Sequence, residues 1–115
     1  LARFLVDTDL FVDHLRAAHR IHVAPQDAAY SSITRAELYA GKHADEPMID
    51  LLLGAFEEIP VSRDVAEHGG RIRRALDIPL PDALIAATAV IGRSVLVTRN
   101  VRHFKRVAGL EIASR

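Results

Sequence analysis

The segment Ala83 to Ile91 is rich in Ala and apolar on nearly every side; Pro79-Leu80-Pro81-Asp82 introduces it and Gly92 closes it. A helix without a polar face has to be covered all round, as happens when it packs centrally against a sheet. The strand to receive it follows at once: Ser94 to Thr98 (SVLVT) is β-branched and continuously apolar at its centre, the pattern of a strand buried on both faces of a parallel sheet. Together these two segments predict an α/β protein.

The rest of the chain supports that class. Arg3 to Asp7 (RFLVD) predicts a strand, and Thr8-Asp9 can cap a helix with Leu10, Phe11, Leu15 and Ala18 on its apolar face. Ala29 to Ile33 predicts a second strand running into a helix, with Thr34 and Glu37 forming a capping box and Gly41 a stop. Pro47 opens a third helix to Phe56, its face drawn by Met48, Leu51, Leu52 and Ala55. Glu58 to Ser62 is a weak strand that Pro60 confines to an edge or a strand end. Arg63 to Leu76 is helical, with a kink expected at Gly69-Gly70. Asn100 to Val107 predicts a short helix and Leu110 to Ala113 a last strand. Strands alternate with helices, so a mostly parallel sheet covered on both faces is expected, in a single domain spanning 1–115.

The chain of 115 residues is 50% hydrophobic and has no cysteine. That excludes disulfides, a thiolate metal site and a Cys nucleophile. The longest strongly apolar stretch, Leu84 to Gly92, falls well short of a membrane span of about 20 residues. No basic, then apolar, then small-residue signal opens the chain, so a cytoplasmic location and no membrane partner are expected. The balanced charge hides a division: residues 1–70 hold 6 basic and 12 acidic side chains, residues 71–115 hold 9 and 3. Between Ala83 and Leu110 there is no acid, while Arg93, Arg99, Arg102, Lys105 and Arg106 are all cationic, a candidate footprint for a polyanion.

In parallel sheets ligands collect outside the carboxyl ends of the strands. The positions there are Asp7-Thr8-Asp9, Thr34 to Glu37 and Thr98-Arg99-Asn100, with Asp82 at the start of the central helix. Singly, Asp7 can end a strand, Glu37 close a cap and Asp82 complement a helix dipole, while Asp9 and Asp13 read as a cap and an exposed helix acid. Jointly, Asp7, Glu37 and Asp82 would repel one another unless a cation lay between them, and oxygen ligands suit Mg²⁺ or Mn²⁺. The six histidines show no close pair of the kind a zinc site needs.

At this level the chain resembles the PIN-domain nucleases, and more closely the VapC toxins of bacterial toxin–antitoxin pairs. The resemblance is carried by LVDTDLFVDHL at 5–15, SSITRAELYAG at 31–41, IPLPDALIAATAVIGRSVLVTRNVRHF at 78–104 and VAGLEIA at 107–113. It implies a three-layer α/β/α domain with four or five mostly parallel strands. It also implies metal-dependent RNA cleavage leaving a 5′-phosphate and a 3′-hydroxyl, with Asp7, Glu37 and Asp82 holding the metal. The family's fourth acidic position is here Asn100, whose amide can coordinate but brings no charge. Thr8 and Thr98 are candidates to bind the water or a phosphate oxygen, and Arg99 and Arg102 to contact phosphate. The partners implied are RNA, a small VapB-like antitoxin and a second copy of the chain. Two other readings compete. One is a PIN-like fold that binds RNA or a partner without cutting it. The other is a haloacid dehalogenase-like phosphatase using Asp7 as nucleophile and Asp9 as acid, which lacks the later acidic pair such chemistry needs.

Overall fold

The computed structural model describes residues 2–114; the first and last positions of the expected domain, Leu1 and Arg115, lie outside it. The elements are β1 (Phe4–Val6), α1 (Thr8–Leu15), β2 (Ala28–Ser31), α2 (Ser32–Tyr39), α3 (Glu46–Leu53), β3 (Glu57–Ile59), α4 (Arg63–Leu76), α5 (Leu80–Gly92), β4 (Val95–Val97), α6 (Val101–Phe104) and β5 (Glu111–Ala113). All strand pairings are parallel and the order is β3-β2-β1-β4-β5. The chain therefore builds outward from β1 to β3, then crosses to the other side of β1 to add β4 and β5. That reversal puts a topological switch point between the carboxyl ends of β1 and β4.

Side chains alternate across the sheet as period-two geometry requires. Leu5, Ala29 and Leu96 join a core with Val65 and Ile72 of α4, the alanines of α5, and Phe104. Phe4, Val6, Tyr30 and Val97 face a second core with Leu10 and Phe11 of α1, Leu38 of α2, and Ile49 and Leu53 of α3. The three-layer arrangement follows from these two cores. Among the described residues no helix is long and apolar enough to cross a membrane.

Several local expectations are corrected. Asp7 itself is the N-cap of α1, which stops at Leu15 rather than reaching Ala18. Ser31 caps α2, its hydroxyl accepting from the Ile33 amide at 3.0 Å, so the Thr34–Glu37 capping box does not form. Helix α3 buries Ile49 and Leu53, whereas Met48 and Leu51 are 49% and 74% exposed; the face drawn from Met48 and Leu51 is turned outward. Helix α5 ends one residue later than expected, with Arg93 rather than a glycine in the left-handed region (φ 54°). Helix α6 is four residues long and stops before Val107. The Pro60-flanked strand does lie at the sheet edge, as β3.

Gly69-Gly70 does not interrupt α4. A Cβ on Gly69 would meet Leu84 Cδ2 at 2.6 Å and Leu84 Cα at 3.2 Å, while one on Gly70 would meet nothing within 4 Å. Gly69 is thus the point of close approach of α4 to α5, and Gly70 is free of packing. Gly69→Ala should lower stability by about 1–3 kcal/mol because the new methyl overpacks against Leu84. Gly70→Ala should raise it by up to about 1 kcal/mol through helix propensity alone. Thermal melts of the two single variants, shifting in opposite directions, check the assignment.

Candidate active site

The switch point gathers the acids. Asp7 ends β1, and its amide donates to Val97 O of β4 at 2.9 Å. Its carboxylate is 5% exposed. Oδ1 accepts from the Thr8 amide at 2.8 Å and Oδ2 from the Thr98 hydroxyl at 2.8 Å. Thr98 is fully buried and accepts in turn from the Asn100 amide at 2.9 Å. Its hydroxyl therefore ties the end of β1 to the turn after β4, and is a positioning group rather than a surface contact.

Asp9 stands two residues on, in the first turn of α1. Its Oδ2 accepts from the Arg99 amide at 3.2 Å and lies 3.5 Å from the Thr98 hydroxyl. Its Oδ1 is buried and has no hydrogen-bond partner among the described residues. An orphaned buried carboxylate oxygen is costly unless something else meets it. The cap expected at Asp9 is supplied by Asp7 instead; the signal for Asp9 at the site is the Asp-x-Asp spacing, because two acids straddling a strand–helix junction can both turn toward one point.

Glu37 reaches the cluster from α2. Its Oε1 accepts from the Thr8 hydroxyl at 2.7 Å, and that hydroxyl is 2.9 Å from the hydroxyl of buried Thr34. With the Thr8 proton on Glu37, Thr34 donates to Thr8. The outward side of α2 is fixed by Arg35, which donates to Glu58 at 2.7 Å, Asp50 at 2.9 Å and the Tyr30 hydroxyl at 3.0 Å. Asp82 comes from the first turn of α5, and His103 Nε2 lies 2.9 Å from its Oδ2, off the direction of a hydrogen bond.

Asp7, Asp9, Glu37, Asp82, Thr8 and Asn100 line one open cavity of about 300 Å³. Three of the sequence candidates are not among its lining residues: Thr98 is buried behind Asp7, and the two arginines lie elsewhere. The Arg99 guanidinium is paired with Asp13 at its rim, and Arg102 lines a separate cavity. Burial pushes the Asp7 carboxyl up to about 7, with Asp9 and then Asp82 adding repulsion against the Thr98 and Thr8 hydrogen bonds. Burial also raises Asp9 and Asp82. Among the described residues no three acidic or imidazole side chains close into a ready-made metal cage. The donor set nonetheless fits a hard divalent cation: every group is oxygen, the carboxylates disfavour one another's charge, and Asp9 Oδ1 lacks a partner.

The family model for the PIN domain matches residues 4–110. The chain belongs to the PIN-domain family. Among curated relatives, ribonuclease VapC19 of Mycobacterium tuberculosis is 35% identical over 120 residues, covering 93% of this chain and 96% of its own. Ribonuclease VapC10 of the same organism is 37% identical over 112 residues, covering 87% and 84%. A toxin–antitoxin complex from Klebsiella pneumoniae contains a chain 33% identical, with a TM-score of 0.78 and coverage of 96% and 95%. VapBC2 from Rickettsia felis, bound to a DNA fragment from its promoter, matches in fold with a TM-score of 0.81, 24% identity and coverage of 97% and 98%. With PIN membership the phosphatase alternative falls.

The raised Asp7 has a consequence for stability. Its folded value of about 7 exceeds the ordinary 3.8, so the folded chain binds the extra proton between these limits and stability falls as pH rises through them. Asp7→Asn should therefore raise the melting temperature of the metal-free protein by several degrees at about pH 8, with the gain vanishing near pH 4. Melts in EDTA across that range measure it; a gain independent of pH would refute the buried-charge account.

Proposed function

We propose that this chain is a metal-dependent endoribonuclease, the toxin of a VapBC-type pair. The convergence of Asp7, Asp9, Glu37 and Asp82 on one cavity, in a fold whose relatives are ribonucleases VapC, carries this reading. Asp7, Glu37 and Asp82 would hold Mg²⁺ or Mn²⁺, with Asp9 Oδ1 and the Asn100 amide as further oxygen donors. When bound, the cation supplies Lewis acidity toward a phosphodiester and toward water.

The chain's own residues do the arranging. Thr98 and the Thr8 amide fix both Asp7 oxygens, and the Thr34–Thr8 relay fixes Glu37, so two acids from different elements, the end of β1 and helix α2, are held before substrate arrives. Such preorganisation lowers the reorganisation needed in the transition state. Asp7, held near neutrality by burial, gives up its proton readily once positive charge enters the cavity. Neither the Thr8 nor the Thr98 hydroxyl is free to act as a covalent nucleophile, since both donate to carboxylates.

The partner would be a VapB-like antitoxin, in keeping with the toxin–antitoxin complex that contains the 33% identical chain. Exposed Met48 and Leu51 on α3 leave apolar surface of the kind protein contacts cover. Expression of the chain alone should slow growth, and co-expression of its antitoxin should restore it.

RNA should be cleaved with Mg²⁺ or Mn²⁺ and left intact in excess EDTA, and Asp82→Asn should lose activity by about a hundredfold or more while keeping its circular-dichroism spectrum. Assays on a mixed cellular RNA, read by mapping new 5′ ends, test this. Cleavage at full rate in EDTA would sink the metal-dependent reading. RNA binding without cleavage under any divalent ion would favour the non-cutting module instead.

A further inference from the structure

Beside the acid cavity lies a second one, also of about 300 Å³, and Asn100 lines both. Arg102, His103 and Arg106 form part of its wall. The one acid lining it, Asp77, is paired with Arg73 and so leaves the two arginines uncompensated. Among the described residues Arg102 has no carboxylate partner. Arg106 donates to Leu76 O at 3.2 Å, which anchors its guanidinium while leaving most of its five N–H donors unused. Arg99, in the turn after β4, is paired with Asp13.

We propose that this cavity is a subsite for one phosphodiester phosphate of an RNA strand, the neighbour of the phosphate lying over the acids, held by Arg102 and Arg106. The assignment rests on the ribonuclease reading above and deepens it. A cavity lined by five carboxylates, of which Asp13 is paired with Arg99, repels a polyanion, so a strand crossing it needs compensating cations close by. Successive phosphates are covalently tethered at short spacing, which places the neighbour of a scissile phosphate in an adjoining depression. Guanidinium forks suit phosphate oxygens.

Asn100 gains a reason in this arrangement. As the wall shared by both cavities, it faces the carboxylates on one side and the phosphate position on the other. An acid there would set a negative charge against the bound phosphate, whereas an amide tolerates both neighbours.

The test uses the full chain and a single-stranded, fluorescein-labelled RNA, with binding measured by anisotropy in EDTA so that no cleavage intervenes. Arg102→Gln/Arg106→Gln should lower the slope of log affinity against log salt by about 0.7, the share of one phosphate on a single strand. Arg3→Gln/Arg93→Gln, which removes equal charge from the opposite end of the sheet, before the amino ends of β1 and β4, should leave that slope alone. A neutral methylphosphonate scanned along the RNA should weaken wild-type binding about tenfold at one position next to the cleaved bond, and should have no effect there on the double variant. Asn100→Asp should weaken binding to normal RNA and regain it with that methylphosphonate. Should the double variant misfold, Arg102→Gln alone, at an exposed position, carries the same comparison at half the effect. Wild type that cleaves RNA in Mg²⁺ but shows no such position, or a double variant that shows the same loss, overturns the subsite and leaves the ribonuclease reading standing. Absence of cleavage removes both. An unchanged RNA slope with weakened antitoxin binding would reassign the cavity to the protein partner and likewise overturn the proposal.

Discussion

The hydrogen bond from the Thr98 hydroxyl to Asp7 Oδ2 is the contact on which the site depends. It spans the carboxyl ends of β1 and β4, the two parallel strands between which the strand order reverses. Thr98 is fully buried, and the same oxygen takes the Asn100 amide. One hydroxyl thus fixes an acid, the turn after β4 and the amide shared by the two cavities. The bond is tolerable only because it is satisfied in both directions, as donor to a carboxylate and acceptor from an amide. The reversal lies in one connection: β1 to β2 and β2 to β3 are neighbour crossovers, whereas α4 and α5 together carry the chain from β3 back past β2 and β1 to β4.

The second constraint is electrostatic and opposes the first. Packing draws Asp7 below the surface, where its charge is disfavoured by burial and then by Asp9. Threonines at positions 8, 34 and 98 give partial relief, because hydroxyls supply protons to carboxylates without adding charge. Asp13 is relieved differently, by the Arg99 guanidinium at the rim. The result is a graded site: full ion pairing at the edge, hydroxyl bonding in the middle, and an unmet oxygen of Asp9 inside. A folded chain that keeps such a conflict is less stable than its core permits, which is the usual relation between a charged site and the scaffold that holds it.

Much of this was legible in the sequence. The apolar helix before SVLVT, the strand–helix alternation, the edge character beside Pro60 and the gathering of Asp7, Glu37 and Asp82 all follow from periodicity and strand-end geometry. What was not legible shares one cause, competition between local signals and packing. Ser31 and Thr34 are both able to cap, and Ser31 does because Thr34 is buried as a partner of Thr8. Met48 and Leu51 are as apolar as Ile49 and Leu53, and only the position of α3 against the sheet decides which pair turns inward. Arg99 is as well placed in sequence as Arg102 to meet a phosphate, yet Asp13, one turn beyond Asp9 on α1, takes it.

Scaffold and site meet most directly at the α4–α5 contact. Gly69 lets α4 approach Leu84 closely enough that an added Cβ would strike it, and Leu84 is two residues from Asp82. The alanines of α5 let the helix sit flush on Leu5 and Leu96, leaving little room for rotation or sliding. Small residues therefore do for Asp82 what the Thr98 hydroxyl does for Asp7: they remove freedom from the element that carries the acid. The two devices differ in kind, one being steric and distributed along a helix, the other a single directed bond. An acid on the first turn of a tightly seated helix moves only if the helix moves, so Asp82 is held by packing, while Asp7, at the junction of β1 and α1, is held by hydrogen bonds. A cluster assembled from both keeps its geometry although its charges push outward, because the repulsion between half-buried carboxylates acts against a close-packed interior on one side and a satisfied hydroxyl on the other.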